Sequence, residues 1–254
     1  MTGPDLPDLR QDYMELTGRP PVPPKKMFGL WLSEFGYNNW PEMDEKLTTL
    51  RANHFPIDGF VLDLYWFGGI SAGSGDSSMG KLTWDLTNFS DPVTKIQTLR
   101  DTQGIGIMTI EESYISQNLP EHADLQAHGF LVRDCAGCAP TYLTSNPWWG
   151  VGGMIDWTND AAGAYWHNLK REPLIKAGVI GHWTDLGEPE AYNSPSWYFG
   201  ALSDYRPLND QGDNHNLYNF KWSQSIYNGY TSNSRSQRPF IPLALRHVWH
   251  PALW

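Results

Sequence analysis

The chain is poor in cysteine, in basic residues and in long apolar runs, and each shortage removes a class of function. Its 254 residues hold two cysteines, both in Arg133-Asp-Cys-Ala-Gly-Cys138. A single Cys-x-x-Cys with no second pair and no neighbouring histidine does not make a zinc site. A redox reading would need a thioredoxin-like βαβ setting, which is absent, so the pair reads as an incidental feature of a loop. Lysine and arginine number 18 against 28 acidic residues, for a net charge of −10. With no basic stripe to neutralise phosphates, nucleic acid is excluded as a partner. No run approaches the roughly 18 apolar residues of a membrane-spanning helix. There is no internal repeat. Met1-Thr-Gly-Pro-Asp5 lacks the basic-then-apolar order of a secretory signal, and the location is left unassigned.

Aromatic residues are plentiful: 13 Trp, 12 Tyr and 10 Phe. Such abundance fits a heavy core, and Trp and Tyr also line sugar-binding clefts. The length allows one sizeable core. Apolar runs alternate with helix-like stretches, the pattern of βα units. Strands are expected at 28–32, 59–64, 105–110 and 179–184, with a fifth starting at 239–241. Helices are expected at 41–51, 92–102, 161–176 (capped by Asp160) and 216–230. The stretch 68–80 reads as a loop, and 117–153 as a loop or small inserted subdomain. Parallel order and right-handed crossovers follow. The expectation is α/β, a partial (β/α)8 TIM barrel containing about the first four to five βα units.

The most informative segment is Gly181-His-Trp-Thr-Asp-Leu-Gly-Glu-Pro-Glu190. It follows the apolar run Ala177-Gly-Val-Ile180, so Asp185 stands where a buried strand ends and a loop begins. In α/β barrels that edge carries the chemistry. An acid beside an aromatic residue, Trp183, with a second acid at Glu188, suits work on a sugar ring.

These residues resemble the nucleophile motif of glycoside hydrolase family 31, the family of α-glucosidases, α-xylosidases and α-transglucosylases. Further segments agree in order: Leu16-Thr-Gly-Arg-Pro-Pro-Val-Pro-Pro24, Phe28-Gly-Leu-Trp31, Ile57-Asp-Gly-Phe-Val-Leu-Asp-Leu-Tyr-Trp66, Trp84-Asp85 with Phe89 and Pro92, Asp156-Trp-Thr-Asn159 and His215-Asn-Leu-Tyr218. Each alone is weak; the ordered series, from about Leu16 to Ile241, is strong. The resemblance implies a retaining enzyme acting on α-linked oligosaccharides or glucans. Asp185 would be the nucleophile, Glu188 a support residue paired with an arginine, and Asp63 the acid that holds sugar hydroxyls. Trp183 would pack on the same sugar. Glu112 is a candidate for lining the site, and Trp66 and Trp149 are candidate cleft walls. No metal or organic cofactor is implied. Residues 1–15 are expected to end a preceding β-sandwich domain or to be a linker, with the barrel at 16–241.

Residues 242–254 do not resemble the family. Trp249 followed by His250 forces TGG-CAY, which reads as glycine one base later. One allowed codon set for the whole tail, shifted by a base, gives Leu-Ser-Arg-Ser-Gly-Met-Ser-Gly-Ile-Gln-Arg-Tyr, the kind of segment the family carries there. The expectation is an extra base near codon 242 and an out-of-frame tail, with Arg246 and His247 excluded as site residues. The family's acid/base, an aspartate in a Trp-Ser-Gly-Asp segment, would lie downstream. Asp204, Asp210 and Asp213 lack a strand-end setting and are not substitutes for it.

Overall fold

The computed structural model describes residues 5–19, 22–70, 77–143, 148–189, 196–201 and 208–242. Helix α1 (Leu6–Thr17), capped by Asp5, precedes the sheet and buries none of its side chains. Then come β1 (Trp31–Ser33), α2 (Trp40–Ala52), β2 (Gly59–Leu62), α3 (Pro92–Gln103) and β3 (Gly106–Glu111). The helices start where local chemistry dictates. Asn39 accepts the Glu42 amide at 2.9 Å ahead of Pro41, which needs no amide partner in the first turn. Asp91 caps α3, and Gly104 ends it in the left-handed conformation at φ 68°.

A small insert follows β3. It contains β4 (Tyr114–Ser116), α4 (Pro120–His128) and β5 (Gly152–Met154), with β4 and β5 antiparallel. The 117–153 stretch is therefore an inserted unit with regular structure inside it. Within it, Cys135 and Cys138 are bonded to each other across an exposed turn, their Cα atoms 5.0 Å apart.

The chain returns through α5 (Asp160–Trp166), a π turn at His167–Arg171 and α6 (Glu172–Ala177) to β6 (Gly181–Thr184). The expected single helix over 161–176 is thus interrupted. Its cap is Asn159, whose side chain accepts the Ala161 amide at 3.0 Å; Asp160 is the first helical residue. The hairpin β7 (Trp197–Ala201) and β8 (Leu208–Asp210) comes next, followed by α7 (Gln211–Asn214) and α8 (Tyr218–Ser232).

The central sheet is wholly parallel, in the order β1-β2-β3-β6. Strands β2 and β3 are buried along their whole length, as a sheet covered on both faces requires. The fifth strand is short. Phe240 bridges Gly181 in parallel, and the His182 and Thr184 amides donate to the Phe240 and Pro242 carbonyls at 2.9 and 3.2 Å.

Curvature is visible in one contact. Trp31 on β1 and Phe240 on the fifth strand are four strand steps apart, about 19 Å along a flat sheet. Their rings nevertheless meet edge to face at 5.3 Å. The sheet therefore curls into an arc of a barrel, with Val61, Met108 and Phe240, flanked by Trp31 and Trp183, on its concave side. Phe60, Leu62 and Ile107 point the other way, into the large core shared with the helices.

Two strands differ from the sequence expectation. Residues 25–28 form a 3-10 turn with Phe28 exposed, so β1 begins at Trp31. Strand β2 stops at Leu62 because Asp63 leaves the ladder and caps the 3-10 turn Leu64–Phe67 through the Leu64 amide at 2.7 Å.

Candidate active site

Asp63 is the first residue after β2 and Asp185 the first after β6, so parallel strands deliver both to the carboxyl end of the sheet. Alternation delivers them to the same face. Val61 and Trp183 point to the concave side, so the residues two further on do as well. Each is fixed at its base: the Asp185 amide reaches the Glu111 carbonyl at 3.4 Å, and Asp63 is anchored on Leu64. Asp63 is 7 % exposed, and burial, followed by the nearby Asp185 charge, pushes its carboxyl up to about 6. The Leu64 amide pulls the other way and is outweighed.

The turn after Asp185 is tight. Leu186 has φ 55°, unusual for a side chain branched beyond Cβ. A Cβ at Gly187 would collide with the Asn219 side chain on α8, so glycine is needed for close approach. Glu188 lies half-buried in the same turn. Trp183 is half-buried on the Asp185 face. Glu112 is buried and continues the β3–β6 register, in which Glu111 pairs with Thr184; that sets it level with Asp185.

The two tryptophans suggested as cleft walls do not stand in the open. Trp66 is fully buried, donates to the Ile110 carbonyl at 3.1 Å and packs against Trp84 at 4.9 Å. It is a core side chain that offers no face to a ligand. Trp149 is also buried, stacked 5.4 Å from Tyr114, whose hydroxyl donates to the Leu186 carbonyl at 3.4 Å. Its link to the turn after Asp185 runs through Tyr114.

Behind the acids lies a cluster that sequence reasoning missed. Arg171 is fully buried and grips Glu111 with Nε to Oε2 and Nη2 to Oε1, both at 2.8 Å. Its Nη1 donates to Ser225 at 3.1 Å, and the guanidinium lies 5.2 Å from the Trp157 ring. Trp222 Nε1 donates to Glu111 Oε1 at 2.6 Å. Burial, then the Arg171 charge, holds His182 down at about 3 and His167 at about 4. Among the described residues no group of three His, Cys, Asp or Glu could hold a metal ion, and no helix is long and apolar enough to cross a membrane.

The profile described as "Glycosyl hydrolases family 31 TIM-barrel domain" matches residues 20–243. The chain belongs to glycosyl hydrolase family 31. Among family 31 proteins it is 25% identical over 249 residues to alpha-glucosidase 2 of Bacillus thermoamyloliquefaciens, covering 94% of this chain and 29% of that protein. It is 26% identical over 227 residues to alpha-xylosidase XylQ of Lactiplantibacillus pentosus, covering 89% and 27%. A family 31 dextranase of Flavobacterium johnsoniae, solved in complex with glucose, superposes with a TM-score of 0.78 at 25% identity, covering 96% of this chain and 29% of its own. The chain thus spans under a third of the length of these relatives, and the superposition makes it the arc of a family 31 barrel.

Proposed function

We propose that the protein containing this chain is a retaining α-glycosidase acting on α-glucosidic bonds of oligosaccharides or α-glucans. The observation that carries the reading is the convergence of Asp63 and Asp185 on one end and one face of the sheet, close enough for the charge of one to raise the pKa of the other. Family membership and the names of the relatives, an alpha-glucosidase, an alpha-xylosidase and a dextranase, support the substrate class.

In this reading Asp185 attacks the anomeric carbon and the glycosidic C–O bond breaks, leaving a glycosyl ester on its carboxylate. An acid/base group from beyond residue 241 protonates the departing oxygen. That group then takes a proton from water, whose oxygen displaces Asp185 and restores the free carboxylate. Asp63 holds the ring hydroxyls, Trp183 packs against the sugar, and Glu112 and Glu188 support the site. The rigid base of Asp185 serves the attack, because a nucleophile must be held in line with the reacting carbon.

A second reading is favoured by one local feature. Asp185-Leu-Gly-Glu-Pro-Glu190 stands where Asp-Met-Asn-Glu-Pro is commoner, and the variant resembles transglucosylase members of the family. A sugar hydroxyl would then replace water in the second step, and chromatography of products made with added acceptor separates the two. We also propose that residues 242–254 are out of frame. The 254-residue chain by itself then lacks an acid/base and is inactive, at most a carbohydrate-binding fragment. A family match that reaches only residue 243 supports this, and a nucleotide read across codon 242 tests it.

The nucleophile is tested in the full-length protein. Asp185→Ala should leave less than about a hundredth of wild-type turnover, and an activated fluoro-sugar should esterify Asp185, read by peptide mass spectrometry. A label on another residue, or a variant that retains a tenth of the rate, removes Asp185 from the role.

A further inference from the structure

The motif Asp156-Trp-Thr-Asn159 has no part in the mechanism above, yet each of its side chains is committed. Asn159 caps α5. Trp157 stacks on Trp222 at 5.6 Å with an interplanar angle of 6° and lies under Arg171. Asp156 and Thr158 do something different: they reach out of their own segment to the main chain of β7. Asp156 Oδ2 accepts the Phe199 amide at 2.6 Å, and Thr158 Oγ1 accepts the Gly200 amide at 2.7 Å. The two acceptors are braced against each other, since Thr158 donates its amide at 3.0 Å and its hydroxyl at 2.5 Å to Asp156 Oδ1. Both residues are buried. Two side chains at i and i+2 thus take up two consecutive amides of β7, at a point where Gly200, with φ 84°, breaks the strand's regular alternation.

The location gives this lacing its meaning. Ile155 donates to Ser113, two residues beyond the end of β3, so the pair sits at the carboxyl end of the sheet. Strand β7 is where the chain returns after leaving Asp185. Its first residue, Trp197, is tied by both its amide and its carbonyl to Arg133, at 2.6 and 3.0 Å. Phe199 stands on the same strand with its ring more than half exposed.

We propose that Asp156 and Thr158 are positioning residues of the sugar site, holding the main chain at Phe199–Gly200 in place at the mouth of the barrel and so fixing the return of the chain that carries Asp185. The inference rests on the glycosidase reading above. Asp156 serves as a carboxylate because it must accept on both oxygens; an amide would turn a donor toward Phe199.

The test uses the full-length protein with Thr158→Val, which keeps the volume and removes the acceptor, and Thr158→Ser, which restores it. Hydrogen exchange at 199–200 is read alongside KM and kcat on an α-linked trisaccharide. In Thr158→Val exchange should accelerate, KM should rise about tenfold and kcat should stay within about twofold; Thr158→Ser should match the wild type in all three. The proposal is overturned if Thr158→Val matches the wild type in exchange and KM. It is also overturned if kcat and Tm fall together and serine does not rescue them, which marks plain core packing. A wild type that turns over no α-glycoside defeats the glycosidase reading, and the positioning role falls with it; that failure is seen before any variant is made.

Discussion

A carboxylate held at 7 % exposure beside a second acid is an unfavourable group to fold around, and Asp63 is such a group. Its pKa in the folded chain is about 6 against an ordinary 3.8, so the folded state binds the proton more tightly than the unfolded one. The stability this gives is present below about pH 4 and lost as pH rises through 6. At pH 7 the ionised group costs on the order of 2–3 kcal/mol. Asp63→Asn keeps an oxygen for the Leu64 amide and removes the charge. It should therefore raise stability at pH 7 by up to that amount, leave it unchanged near pH 3.5, and flatten the slope between. Urea melts of the complete domain at the two pH values check this, and an equal effect at both would refute it. The same variant should bind sugar poorly, as expected where a binding group is kept at the expense of stability. Asp63 and Asp185 are legible in the sequence because each ends an apolar run. Glu111 and Arg171 are not, because sixty residues separate them and nothing in either neighbourhood announces the other.

At the scale of elements, the π turn His167–Arg171 decides what the segment before β6 can bury. Within the wider turn His167, Lys170 and Arg171 are all buried, Lys170 bonded to Glu121 and Arg171 to Glu111. Sequence periodicity predicts one helix over 161–176 because a π turn keeps the chain helical and carries no residue signature of its own. The same limit explains β2. A run of apolar residues continues past Leu62, but Asp63 bonds to its own neighbour and ends the strand. The four parallel strands and their order are legible from alternation; the small β4–β5 sheet is not, since its strands are three residues each. The buried Arg171–Glu111 pair yields a stability prediction. Arg171→Met strands a buried carboxylate and should cost about 3–5 kcal/mol, whereas adding Glu111→Gln should recover much of the loss. Denaturant midpoints of the complete domain measure both, and a double variant no better than the single would show that the charges are not coupled.

At the scale of the whole molecule, five strands curl far enough for Trp31 to meet Phe240, yet among the described residues the arc does not close on itself. Among the described residues β1 pairs only with β2, and the Phe240 strand pairs only with β6. Among the described residues both edges therefore leave main-chain groups open to another chain. The concave side holds Trp31 and Trp183 half-covered, and Leu6, Leu16, Val22 and Phe28 stand exposed toward the amino-terminal part. A surface of this kind favours association over a soluble monomer. The catalytic argument points the same way, because one carboxylate of a retaining pair lowers the barrier far less than two. Produced as these 254 residues alone, the chain should aggregate and show no turnover of an aryl α-glucoside. Co-production with the downstream half of a family 31 barrel, or restoration of the reading frame proposed to be lost at codon 242, should recover both solubility and activity. Size-exclusion chromatography and a turnover assay on the three preparations decide the matter. A cooperative, active monomer from the 254 residues alone would mean that the arc is complete in itself and that its acid/base lies within these residues.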